Sequence, residues 1–206
     1  MTTNRTKSGS SAIERLKNIE GSWTVLGIPR THYGKQLNNF DWTERPNAAK
    51  EIVRFIEEAK DRKAPHLLLM GGNGLGKTHI GVGLYRWAVT QAGTAASYFT
   101  DAFDFYDQVK ATYNDPNLDN PFNSLALADF LVVIDDPFAY GTLRPGELNI
   151  LIRMIDTAYS NGAALVVTMN DDFDGLKNYL PRHEVDRLTD RSIICHFTGK
   201  SWRGGR

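Results

Sequence analysis

Cysteine is almost missing from this chain: Cys195 is the single instance in 206 residues. An internal disulfide is therefore excluded, and the composition fits a reducing compartment. A cysteine-built zinc module is excluded with it, and His32, His66, His79, His183 and His196 have no metal-ligand spacing, so no zinc is expected. No apolar run approaches the roughly 20 residues that span a bilayer. The first eleven residues lack the apolar stretch of a secretory leader. These absences predict a cytoplasmic protein with no membrane partner. Charge of one sign is also lacking. The 24 basic and 24 acidic residues cancel, which argues against a histone-like coat on DNA. A G-x-S-x-G elbow, a Ser-His-Asp set and a paired-carboxylate hydrolase site are absent too.

What is present is an ordinary folded composition, 41% hydrophobic and 23% charged, at a length that suits one domain. Residues 1–11 are polar and read as a flexible tail. A short helix over 12–20, with Ile13, Leu16 and Ile19 on one side, could serve as a docking element. Residues 21–42 are irregular, and Asn47 after Pro46 opens a helix to about residue 62. Five short apolar runs follow, at 66–70, 95–99, 130–134, 163–168 and 192–197. Helical patterns fall between them at 77–91, 101–113 and 147–160. Near-continuous apolar strands alternating with helices predict a layered α/β fold around a mostly parallel sheet. The chain divides into a tail, 1–27, and one domain, 28–206.

Gly71, Gly72, Asn73, Gly74, Leu75, Gly76, Lys77 and Thr78 match G-x-x-x-x-G-K-[ST] at every position. An apolar run precedes the motif and the helical pattern over 77–91 follows, and His79, next after Thr78, is counted with the loop as cofactor-binding. Glycines let backbone N–H groups wrap phosphate oxygens, and the helix start adds a favourable dipole. Lys77 is expected on the β- and γ-phosphates and the Thr78 hydroxyl on Mg²⁺. The run at 130–134 delivers Asp135 and Asp136 at a strand end, where ligands of parallel sheets bind. Asp135 is expected to hold Mg²⁺, and Asp136 to orient or deprotonate the attacking water. A further strand ends in Asn170, whose amide would reach the γ-phosphate or that water.

The order of these elements, followed by Asp186-Arg187-Leu188 and by Gly199-Lys200-Ser201-Trp202-Arg203, resembles the DnaC/IstB-type AAA+ ATPases. That group comprises helicase loaders and transposition helper proteins. Ile28-Pro29-Arg30 through Leu37-Asn38-Asn39-Phe40 also resembles the family's lead-in, so the likeness covers residues 28–203. It implies an ASCE-type P-loop NTPase with a five-stranded sheet flanked by helices. Too few residues follow Phe197 before Arg203 for a separate lid domain. It implies ATP and Mg²⁺ as cofactors, a DnaB-like replicative helicase as partner, single-stranded DNA as a further one, and an ATP-dependent oligomer. Carried over by position, Asn170 is sensor 1, Arg187 the arginine finger reaching a neighbour's ATP, and Arg203 sensor 2. Arg182 and Arg191 compete with Arg187 for the finger role. Helper activity in transposition, or a nucleotide-dependent interaction module with little turnover, are the alternatives.

Two features stand outside the motifs. Phe103, Tyr106 and Lys110 are spaced as a helix face, which reads as core with a solvated end or as a stacking surface for single-stranded DNA. Trp202 argues for a packed chain end, because an indole seldom stays in water without reason.

Overall fold

The computed structural model describes residues 4–23, 27–190, 192–199 and 201–202. Its centre is built from the five apolar runs. They form strands β1 (His66–Gly71), β2 (Ser97–Asp101), β3 (Leu131–Asp135), β4 (Ala164–Met169) and β5 (Ser192–Phe197). The order is β2-β3-β4-β1-β5, with every pair parallel. β4 thus lies between the strand that feeds the glycine loop and the strand that ends in the acids. Leu68 registers with Val167 on one side and Ile194 on the other.

Residues alternate across the sheet, as the two-residue strand period requires. Leu67, Leu69, Val133 and Val166 enter one core with the first three helices, α1 (Asn4–Lys17), α2 (Pro46–Lys60) and α3 (Lys77–Ala92). Leu68, Met70, Val132, Ile134 and Val167 enter the other. The helices on that face are α4 (Ala102–Asn114), α5 (Pro121–Leu125), α6 (Pro145–Ser160), α7 (Phe173–Tyr179) and α8 (Arg182–Thr189). Each buried aliphatic side chain contributes about 1.5–3 kcal/mol, which is why both faces of the strands read as unbroken Leu/Val/Ile.

Helix starts follow local chemistry. Pro46 and Pro145 sit at the first helical turns of α2 and α6, where a missing N–H costs nothing. The Asp101 carboxylate accepts from the backbone N–H groups of Phe103 and Asp104, capping α4. Burial raises the Asp101 pKa while these cap bonds oppose the rise.

The structure differs from the sequence reading at three places. The helix expected over 12–20 runs instead over Asn4–Lys17. Ala12 and Leu16 are buried against the core beside α2, and Arg15 pairs with Glu57 at 2.6 Å. On α4 the core stripe is Ala102, Phe105, Tyr106 and Val109. Phe103 is half-buried, edge-on to Tyr140, and Lys110 pairs with Glu147 at 2.8 Å. α5, α7 and α8 had no counterpart in the sequence pattern.

The irregular lead-in is tied to α3 by Arg86. Its guanidinium is buried and donates to the Ser22 carbonyl at 2.7 Å and the Tyr33 carbonyl at 2.5 Å. After β5 the described residues do not build a second helical unit. They return to the glycine loop, where the Trp202 N–H donates to the Gly74 carbonyl at 3.1 Å.

Candidate active site

β1, β3 and β4 end side by side, and their ends carry the site. Residues 71–78 link β1 to α3. Gly71 has φ 128°, and a side chain there would collide with the Phe197 carbonyl of β5. Gly76 has φ 94° at the N-cap of α3, and a side chain there would collide with the Phe40 ring. Both positions therefore require glycine. Lys77 is buried, and its ammonium donates to the carbonyls of Gly71 and Gly72 at 2.7 and 2.8 Å.

The Thr78 hydroxyl lies close enough to the Asp135 carboxylate to lower its pKa, which brings the start of α3 beside the end of β3. Asp135 is buried, and its pKa is pushed up to about 6. Burial is the largest cause, and the neighbouring carboxylates of Asp136 and Asp101 add to it, while the hydroxyls of Thr168 and Thr78 pull it back.

Thr168 on β4 links the two acids. Its hydroxyl donates to Asp135 Oδ1 at 2.7 Å and accepts from the Asp136 N–H at 3.0 Å. Asp136 adopts φ 48°, a left-handed backbone that costs a non-glycine residue about 1–3 kcal/mol. The Asn170 amide donates to Asp136 Oδ2 at 2.6 Å and fixes the plane of that carboxylate. Asp135, Thr168, Asp136 and Asn170 thus form one hydrogen-bonded chain across the ends of β3 and β4, with Thr78 of α3 beside it. Sequence reasoning found the others and missed Thr168. The one signal was a hydroxyl residue inside an otherwise aliphatic strand.

The other expected residues stand as follows. The His79 ring meets the Gln36 carbonyl and Asn39 Oδ1, each at 2.9 Å, and packs edge-on to Phe40, so it braces the lead-in. Burial, the largest cause, lowers its pKa. Arg187 on α8 pairs with Asp156 of α6 and, at 3.6 Å, with Glu184. Arg182 is 95% exposed in its side chain. Arg191 and Arg203 lie outside the described residues. Trp202 packs on Phe40 with ring centroids 5.1 Å apart, and the Arg45 guanidinium lies over the Trp202 ring at 4.6 Å. A groove of about 710 Å³ beside β2 is lined by residues such as Ile28, Tyr33 and Asn120, none of them in the glycine loop. Cys195 is buried in β5, and burial pushes its thiol up to about 12, an unreactive state. No helix of the described residues is long and apolar enough to cross a membrane.

The residues present fit a triphosphate and a divalent cation. Positions 71 and 76 are closed to side chains, so backbone alone lines the loop there, with the Lys77 ammonium held at it. Thr78 and Asp135 offer a hydroxyl and a carboxylate beside one another, both hard oxygen donors of the kind Mg²⁺ takes.

A parallel sheet of this order, with a glycine loop after β1 and acids after β3, defines the P-loop AAA+ fold. The chain belongs to the IstB-like ATP-binding protein family, whose model matches residues 24–205. No curated protein matches it in sequence. Among solved structures, the DnaC helicase loader is similar at TM-score 0.71 and 17% identity, over 82% of this chain and 100% of that one. DnaI is similar at TM-score 0.65 and 15% identity, over 91% and 98%. The replication initiator DnaA, bound to AMPPCP and single-stranded DNA, gives TM-score 0.66 and 18% identity over 81% of this chain and 50% of that one. At these identities the likeness defines the fold.

Proposed function

We propose that this protein is a Mg²⁺-dependent ATPase that loads a DnaB-like replicative helicase onto single-stranded DNA. The observation that carries the reading is the bonded chain from Asp135 through Thr168 and Asp136 to Asn170, with the Thr78 hydroxyl beside Asp135. It sets a cation-binding pair and an oriented carboxylate beside a loop built for phosphate. ATP with Mg²⁺ supplies a polarised γ-phosphoryl group when bound. The chain's own part is positional. Lys77 exchanges the loop carbonyls for phosphate oxygens. Asp136 accepts the hydrogen of a water at its carboxylate, and Asn170 keeps that carboxylate turned. Thr168 holds both acids at fixed spacing.

Arg187 is the arginine finger in this reading. In the single chain it is engaged by Asp156 and Glu184. Assembly would draw it to a neighbour's nucleotide, where a guanidinium neutralises charge on the phosphoryl oxygens. Hydrolysis then depends on oligomerisation. Arg203 serves the nucleotide of its own subunit. The side of α1 opposite Leu16, with Ser11, Glu14 and Lys17 exposed, serves as the helicase-docking face.

Membership of the IstB-like ATP-binding protein family supports a second reading, an ATPase that assists a transposase on duplex DNA. The test combines the purified chain, ATP, circular single-stranded DNA and a purified DnaB-like helicase. A loader leaves the helicase on the circle only with ATP and an intact Lys77. A transposition helper ignores the helicase and coats duplex DNA in an ATP-dependent manner. Absence of turnover under every condition would overturn both and leave a nucleotide-dependent interaction module.

A further inference from the structure

Arg45 closes the lead-in immediately before α2. It is 6% exposed, and none of its three guanidinium nitrogens with buried surface has a hydrogen-bond partner among the described residues. The nearest carboxylate, that of Glu44, is 3.9 Å away and points largely into water. The Trp202 ring packs against the guanidinium at 4.6 Å. A buried cation without an acceptor is costly, and proteins keep one where a ligand supplies the acceptor. α2 adds to the deficit. Its N-terminus has no side-chain cap and no acid in its first turn.

The location says which part of a ligand arrives there. The acids of β3 mark the γ-phosphate end of the loop. β3 and β5 lie on opposite sides of β1. The far end of a nucleotide lying along residues 71–78 therefore points to Phe40, Arg45 and Trp202. Trp202 is anchored there, with its N–H on the Gly74 carbonyl and its ring against Gly76.

We propose that Arg45, clamped by Trp202, recognises the nucleoside end of the bound nucleotide and sets base specificity. This rests on the nucleotide-site reading above. A purine offers ring-nitrogen acceptors to the guanidinium fork and a π face to its plane. A pyrimidine base offers less of both.

The test is calorimetric titration of the full chain with ATP, GTP, CTP and UTP. The wild type should bind ATP and GTP more tightly than CTP and UTP. Arg45→Met should weaken ATP about tenfold and narrow the spread, while the nucleotide-free protein melts no lower than wild type. Equal binding of all four by the wild type would overturn the proposal. So would an unchanged spread in Arg45→Met, which makes Arg45 structural or a phosphate ligand. Arg45→Gln, which keeps donors without the charge, carries the same readout should the methionine variant not fold. Lys77→Ala separates the two claims, since it should lower all four nucleotides together. ATP affinity unchanged in Lys77→Ala would sink the nucleotide site itself.

Discussion

The two flanks of the glycine loop are built on opposite principles. On the β3–β4 flank, hydroxyls and an amide hold the carboxylates, and the Thr168 hydroxyl both donates and accepts. On the α2 flank a guanidinium sits buried with an indole against it and no acceptor among the described residues. The first flank is organised before any ligand arrives, which suits groups that must not reorganise during a reaction. The second is incomplete alone, which suits a group whose partner is the ligand. Arg86 supplies the internal control. It too is buried, yet two carbonyls of the lead-in accept from it.

Breaking the first flank should have the largest effect. Asp136→Asn should lower ATP turnover by about 10² to 10⁴ while leaving ATP affinity near wild type. Calorimetry beside a steady-state phosphate-release assay checks both halves. Loss of affinity and turnover together would mean that Asp136 binds rather than acts. Lys77→Ala removes what both flanks share and should weaken ATP by about a hundredfold. Arg86→Met sharpens the contrast between the arginines. It strands the carbonyls of Ser22 and Tyr33 and should cost about 2–3 kcal/mol in chemical denaturation. Arg45→Met should cost nothing in the same assay. Thr168→Val keeps the shape of β4 but removes the bridge between the acids, at about 1–2 kcal/mol and with a measurable fall in turnover.

The smallest effect concerns pH. Burial lowers the His79 pKa, so the unfolded chain binds the proton more readily than the folded one. The folded state therefore loses stability as pH falls from the ordinary histidine pKa toward the depressed one, and regains it on return to neutrality. His79→Gln should flatten the decline in melting temperature between neutral pH and about pH 5. An unchanged slope would assign the decline to other groups.

Much of this was legible in the sequence, for identifiable reasons. β1 and β5 begin where their apolar runs begin, because strands buried on both faces leave no ambiguity of pattern. The loop and the acids were legible because each closes such a run. α8 was not, since its eight residues carry two apolar side chains, Val185 and Leu188, too few to show a period although both reach the core. The extra turns of α1 contain Thr6, Ser8 and Gly9, residues of weak helix propensity. Thr168 was hidden because threonine suits a strand whatever its hydroxyl meets. Arg45 was hidden because an arginine before Pro46 reads as a surface turn. Its burial comes from Trp202, distant in the chain.

The account rests most heavily on the glycine loop and Asp135 forming a single magnesium–ATP site. ATP affinity measured with Mg²⁺ and with a chelator, in wild type and in Asp135→Asn, tests this directly. The account predicts that Mg²⁺ tightens ATP binding in the wild type and that the gain disappears in Asp135→Asn. A gain that survives undiminished in the variant would contradict it.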